Sequence, residues 1–357
     1  MKIESDQKLD FHNVLIRPKR STVNSRSDVN LERTFKFNNK VLRGTPNVWH
    51  GVPIMAANMD TTGVFSVYDE LEKHKILTVL HKFYTADDFR EEVARRKKLG
   101  DNHALNPAYF SVSTGITDEN LKNLQEIMKV VDPMWICIDI ANGYIEKFVD
   151  FCRKVRNLYP DKIIIAGNVA TREMVEELIL NGGVDVVKVG IGPGSACLTR
   201  MKTGVGMPQL SAIMECADAA HGMGGYIISD GGITCPGDMA KAFGGGADFV
   251  MMGGQFAGHD ENPGELIEED GKKFKLFYGM SSKHAMNKHF GEMAKYRSSE
   301  GRVIKVSYKG KLNDTVLDYL GGIRSTCTYI NAKCIKHMPK CTTFVIVTQQ
   351  LNTHLVK

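Results

Sequence analysis

The middle of the chain repeats one unit eight times: a short apolar, β-rich run, a turn holding Gly, Asn or Asp, and an amphipathic helical stretch. The runs are PIMAAN (53–58), ILTVLH (76–81), AYFSVS (108–113), MWICIDI (134–140), KIIIAG (162–167), VDVVKVG (184–190), GYIISD (225–230) and ADFVMM (247–252). Most are continuously apolar, as expected of parallel strands covered on both faces. The stretches between them carry helical stripes. In TREMVEELILNGG, Met174, Val175, Leu178 and Ile179 form the stripe, and Gly182 and Gly183 stop it. Strands alternating with helices dictate a parallel sheet. Eight of them point to an α/β fold of the closed (β/α)8 TIM-barrel type over an open doubly wound sheet.

At 357 residues, 43% hydrophobic and 24% charged, the chain can bury a full core, and positions 1–357 read as a single barrel domain. Three segments stand outside the repeat: an N-terminal arm (1 to about 50), a polar insertion after strand eight (about 255–311) and a C-terminal tail (about 330–357) with one β-like run, TTFVIV. The insertion reads as a flap over the barrel mouth, with a solvated hairpin as the alternative. The charge run EEVARRKK (91–98) reads as an exposed helix face. A net charge of +5 without a basic stripe argues against nucleic acid. Eight cysteines without a C-x-x-C pair argue against a disulfide scaffold or zinc ribbon. The acidic N-terminal residues do not resemble a signal peptide, and no run approaches membrane-spanning length. The expectation is a cytoplasmic protein with free thiols and no membrane partner.

In such a barrel the chemistry sits at the C-terminal strand ends. The polar residues that follow the runs are Asn58 and Asp60, His81 and Lys82, Ser113 and Thr114, Asp139 and Asn142, Asn168, the loop of the 190s, Asp230, and Gly253 with Gly254. The turns SDGG (229–232) and MGG (252–254) follow strands seven and eight, where paired glycines let backbone N–H groups converge on a phosphate. KVGIGPGSACLTR (188–200) is an irregular loop presenting Cys197 as a nucleophile. Carbonyls of Gly192, Gly194 and Cys197 would suit a hard monovalent cation better than zinc. The other cysteines read as structural. Glu300 and Arg297 lie in the insertion and can reach over the mouth as acid/base and charge partner. Lys82 can meet a phosphate or an amide, whereas His81 reads as a satisfied core residue.

With these residues in view, the chain resembles the inosine-monophosphate dehydrogenase/GMP reductase superfamily, and within it the reductase branch. The resemblance runs from KLDFHNVLIRPKRST and SRSDV through GVPIMAANMDTTG, DIANGY, AGNVAT and GIGPGSACLTR to SDGGITCPGDMAKAFGGGADFVMMGG, YGMSS, YRSSEG and GGIRSTCTYI. Ala196 and Leu198 beside the cysteine, and an additional Gly around 182–183, depart from the pattern without removing a functional group.

The resemblance implies irreversible NADPH-dependent reductive deamination of GMP to IMP and ammonia through a covalent thioimidate on Cys197, in purine salvage, with Thr199 and Glu300 as the proton relay. It implies a GMP site of Asp230, Gly231, Gly232, Gly253, Gly254, Gly279, Met280, Ser281, Arg297, Ser298, Ser299, Glu300 and Gly301. NADPH would meet Lys82, Asp139, Ile140, Ala141, Ile191, Gly192, Met280, Tyr296 and Arg297. From a neighbouring subunit of a homotetramer it would meet Ser25, Arg26, Ser325, Thr326, Cys327 and Thr328. Potassium (K+) would sit on Gly192, Gly194, Cys197 and Arg200. Two alternatives stand beside the reductase. A dehydrogenase would carry paired modules after strand two and a longer flap with an Arg-Tyr pair; here the helix follows Lys82 closely and the order is Tyr296 then Arg297. A purine-nucleotide sensor would not need Cys197, Thr199 and Glu300 together.

Overall fold

The computed structural model describes residues 3–37, 47–100, 103–291 and 298–348. The eight apolar runs form β1 (Ile54–Ala56), β2 (Leu77–Val79), β3 (Phe110–Thr114), β4 (Trp135–Asp139), β5 (Ile163–Val169), β6 (Val186–Val189), β7 (Tyr226–Asp230) and β8 (Phe249–Met252). All neighbours pair in parallel, and the sheet closes where Val250 of β8 lies opposite Ile54 of β1. The helices between them are α1 (Phe65–Leu71), α2 (Ala86–Leu99), α3 (Asp118–Met128), α4 (Glu146–Leu158), α5 (Arg172–Leu180), a short α6 (Thr199–Thr203), α7 (Gln209–Gly222) and α8 (Pro236–Gly244). Their starts follow local capping chemistry: Thr85 and Asp88 cap α2 reciprocally, and Thr117 and Asn120 do the same for α3.

Period-two alternation divides the strand residues between two cores. Outward residues such as Ile136, Ile138, Ile164, Val187 and Val250 pack under the helices. Inward residues Met55, Leu77, Val79, Trp135, Cys137, Ile163, Ile165, Val186, Ile228, Phe249 and Met251 fill the barrel. At the C-terminal mouth the same alternation places Asp139 two residues beyond Cys137, Lys188 beyond Val186 and Asp230 beyond Ile228. The uppermost inward layer is therefore charged, and it floors the mouth.

The opposite end is closed by the arm. Strands Arg33–Phe37 and Asn47–Gly51 form an antiparallel hairpin whose Phe35, Phe37 and Trp49 are buried against Trp135 and Phe249. The tail's β-like run is a strand, Phe344–Ile346, paired with Val14–Ile16 of the arm. The insertion contributes a three-stranded antiparallel sheet of β9 (Ile267–Glu269), β10 (Lys272–Tyr278) and β11 (Val303–Ser307), with α9 (Lys283–Phe290) between the last two; α10 (Leu312–Ile330) then completes the helical ring.

One expectation is corrected. The charge run 91–98 lies on α2, but it is not wholly a solvated face: Glu92 and Arg96 are 8% and 5% exposed. Arg96 donates to Glu92 at 2.7 Å and to Asp69 of α1 at 2.6 Å, so these charges pin two helices together. The thiols are free, and Cys137, Cys152, Cys216 and Cys327 are buried.

Candidate active site

A cavity of about 860 Å³ opens at the C-terminal mouth of the barrel. Cys197 lies on its wall, partly exposed, in the loop after β6. Its N–H donates to the carbonyl of Gly194 at 3.0 Å, which closes a turn and aims the side chain at the cavity. The thiol donates to Thr199 Oγ1 at 3.2 Å, and the Thr199 hydroxyl donates to Glu300 Oε2 at 2.8 Å. Three groups from two distant segments thus form one hydrogen-bonded series.

The insertion delivers Glu300 by backbone pairing. Gly301 bridges to Cys197 and to Ser282, Leu198 N–H donates to the Glu300 carbonyl at 2.6 Å, and Arg302 N–H donates to the Ala196 carbonyl at 3.0 Å. Only glycine fits at 301: a Cβ there would lie 2.7 Å from the backbone nitrogen of Ser282. A second anchor lies at Asp60, whose carboxylate accepts from Tyr278, Lys288 and His289 of the insertion at 2.9, 2.8 and 2.7 Å. Burial pushes the Asp60 carboxyl up, and these donors outweigh it, so its pKa lies below the ordinary value. Asp60 therefore acts as the clasp of the insertion.

Beside the cysteine loop, Gly231 and Gly232 take left-handed φ values of 89° and 81°, turning backbone toward the cavity after β7. Lys188 is buried among acceptors. Its Nζ lies 2.6 Å from Asp139 Oδ1, 3.0 Å from Asn58 Oδ1 and 3.4 Å from Asp230 Oδ2. Burial favours the neutral amine, and the adjacent carboxylates of Asp139 and Asp230 outweigh it, raising the lysine pKa. Asp139 is held below the carboxylate range: burial pushes it up, but Lys188 and then Lys82 pull it down further. Asn168 donates to Asp230 Oδ2 at 2.8 Å, and Gln209 donates to the Val189 carbonyl at 2.8 Å from below.

The cavity brings together most of the residues expected from sequence. Cys197, Thr199, Asp230, Gly231, Gly232, Gly253, Gly254, Gly279, Met280, Ser281, Ser298, Glu300 and Gly301 line it, as do Lys82, Asp139, Ile140, Ala141, Ile191, Gly192 and Gly194. Ser299 sits behind the wall, accepting from Lys283 N–H at 3.1 Å. Tyr296 and Arg297 lie outside the described residues. Arg200 turns away, donating to the Met207 carbonyl at 2.7 Å. Ser25 and Arg26 on the arm, and Ser325, Thr326 and Thr328 on α10, are apart from the cavity; Arg324 of α10 ties the two segments together by donating to the carbonyl of Val29. Cys327, also on α10, is fully buried, and burial pushes its thiol up to about 12. His81 is structural: it stacks on Tyr84 at 4.0 Å, and burial pushes it down to about 4.

Sequence reasoning missed Lys188 and Gln209. A single cation inside an otherwise apolar strand run was the available signal for the first; Gln209, on a helix, gave none. Among the described residues no group of three or more His, Cys, Asp or Glu is arranged to hold a metal ion. Among them, too, no helix is long and apolar enough to cross a membrane.

Residues 8–353 match the family described as IMP dehydrogenase / GMP reductase domain. The chain is 53% identical over 353 residues to GMP reductase 1 of Mus musculus, covering 99% of each protein. It is 54% identical over 353 residues to GMP reductase of Vibrio cholerae, covering 99% of this chain and 98% of that one. The GMP reductase of Caenorhabditis elegans is 54% identical over 352 residues, with 98% and 95% covered. A barrel of eight parallel strands, a cysteine loop bridged to the insertion and a match running nearly end to end converge: the chain belongs to the IMP dehydrogenase/GMP reductase family.

Proposed function

We propose that this protein is a GMP reductase, converting GMP to IMP and ammonia with oxidation of NADPH. The observation that carries the reading is the hydrogen-bonded series Cys197–Thr199–Glu300 on the wall of a cavity that also presents the glycine turns after β7 and β8. The full-length relatives named GMP reductase support the same assignment.

The purine would lie with C2 against the Cys197 sulfur and its phosphate toward the N–H groups of Gly231, Gly232, Gly253 and Gly254, with Gly279, Met280 and Ser281 opposite. Asp230, held by Asn168 and Lys188, would accept from the ribose hydroxyls. As a thiolate, Cys197 bonds to C2; the C2–N bond breaks and the amine leaves as ammonia, taking a proton that Glu300 passes through Thr199. NADPH, when bound, supplies the hydride that reduces C2 by two electrons. The S–C2 bond then breaks, IMP departs and the thiolate is restored. Per turnover one GMP, one NADPH and two protons give one IMP, one NADP+ and one ammonium ion.

Lys82, Asp139, Ile140 and Ala141 extend the cavity beyond the nucleotide subsite and would hold the nicotinamide end. The patch of Ser25, Arg26 and Ser325–Thr328 would serve the cavity of a neighbouring subunit in a homotetramer, presenting its side chains other than the buried Cys327. For potassium the donors are carbonyls of Gly192, Gly194, Cys197 and Arg200. Those of Gly194 and Arg200 already accept one N–H each, at 3.0 and 3.1 Å, and retain a second lone pair for a cation. The site suits a protein of the cytoplasm, where reduced nicotinamide and purine nucleotides meet.

The test is stoichiometry. With GMP, NADPH and potassium, loss of reduced-cofactor absorbance is expected to match IMP and ammonia one for one. GMP binding without turnover would leave the sensor; NADH formed from IMP and NAD+ would leave the dehydrogenase.

A further inference from the structure

We infer that Lys188 is a positioning residue that holds the carboxylates of Asp139 and Asp230 on one shared cation, coupling the cofactor wall of the cavity to its nucleotide turn. The inference rests on the reading just given, since it takes from it what each wall binds.

The geometry encloses Lys188 between these carboxylates. It is 2% exposed, on a strand whose other residues are apolar, and it lies within 3.4 Å of acceptors from three further strand ends. A buried ammonium is tolerated only where it is solvated by the protein: Asn58 and Asp139 accept its hydrogen bonds, and the Asp230 carboxylate adds a second opposite charge at 3.4 Å. The two carboxylates are about one-fifth exposed and face the cavity from β4 and β7, on either side of β6. Asp139 also receives Lys82, whose Nζ donates to its carbonyl at 3.3 Å. Asp230 has Asn168 in addition. The lysine is closer to Asp139 than to Asp230. If Asp139 loses its charge, the ammonium shifts toward Asp230 and draws that carboxylate inward, away from ribose hydroxyls. Occupancy of one wall is therefore felt at the other.

Binding of GMP to the full chain, measured by calorimetry without cofactor, tests this directly. Asp139→Asn alters a residue assigned to the cofactor wall, yet it is expected to weaken GMP binding about three- to tenfold. In a Lys188→Gln background, itself at least tenfold weaker for GMP, the same substitution is expected to have no further effect. An Asp139→Asn protein that binds GMP as wild type does while its KM for NADPH rises would overturn the inference. So would an equal loss in both backgrounds. Should Lys188→Gln fail to fold, the Asp139→Asn result decides alone. Wild-type turnover run alongside separates the two levels: an inactive wild type removes the functional reading, whereas an active one with uncoupled walls removes only this inference.

Discussion

Replacing Gly301 by alanine puts a methyl group where backbone already stands. Its Cβ would lie 2.7 Å from Ser282 N, 3.1 Å from Ser282 Cα and 3.1 Å from the Gly279 carbonyl oxygen. None of these belongs to a side chain that can swing aside, so the backbone at 301 must retreat, by about 0.7 Å, to reach ordinary contact. The residue that moves with it is Glu300, whose carboxylate is 2.8 Å from Thr199. A misplacement of about 1 Å in reacting groups costs about 100-fold in rate, and overpacking costs about 1–3 kcal/mol of stability. Gly301→Ala is therefore expected to lower kcat roughly 10- to 100-fold in the GMP-dependent NADPH assay while the protein stays folded. Gly222→Ala is the control. It lies at the end of α7 with nothing within 4 Å of the added Cβ, and it should leave kcat unchanged. A Gly301→Ala enzyme with wild-type kcat would refute the reasoning that the insertion's backbone sets the position of Glu300.

Trp49→Ala should cost about 3–5 kcal/mol, because the ring is fully buried between Phe35, Trp135 and Phe249. Chemical denaturation checks this; KM for GMP should hold, since the hairpin closes the opposite end of the barrel. His259 is fully buried and accepts or donates at 2.7 Å to Thr315; burial, aided by the Lys309 charge, pushes it from 6.5 to about 4. The unfolded chain thus takes up a proton before the folded one does. Stability should be level above pH 6.5 and fall as pH drops toward 4, by at most about 1.4 kcal/mol per pH unit for this residue. Thermal melts of wild type against His259→Gln would show a shallower acid limb in the variant; identical limbs would exclude this histidine as a source.

The barrel was legible because strands covered on both faces must be apolar throughout, and eight such runs stood out between amphipathic stretches. The candidate cysteine was legible because three glycines and a proline exclude regular structure from 190 to 194. Other features depend on partners far away in sequence. Nothing local marks Gly301 as the pairing partner of Cys197, or Asp60 as the clasp of the insertion. Glu92 and Arg96 read as solvated because the acid that completes their cluster, Asp69, belongs to another helix. The arm's hairpin was hidden for a different reason: two strands with polar residues on alternate positions carry little signal until Phe35, Phe37 and Trp49 meet the barrel floor. Lys188 was overlooked because its run was read for hydrophobicity, where one charge counts as noise.

In the proposed reaction the Cys197 sulfur bonds to the purine during turnover. The most direct measurement compares Cys197→Ala with wild type for GMP binding by calorimetry and for NADPH oxidation in the presence of GMP. Binding within a few-fold of wild type, with turnover lowered by orders of magnitude, is the predicted result; turnover near the wild-type rate would contradict it.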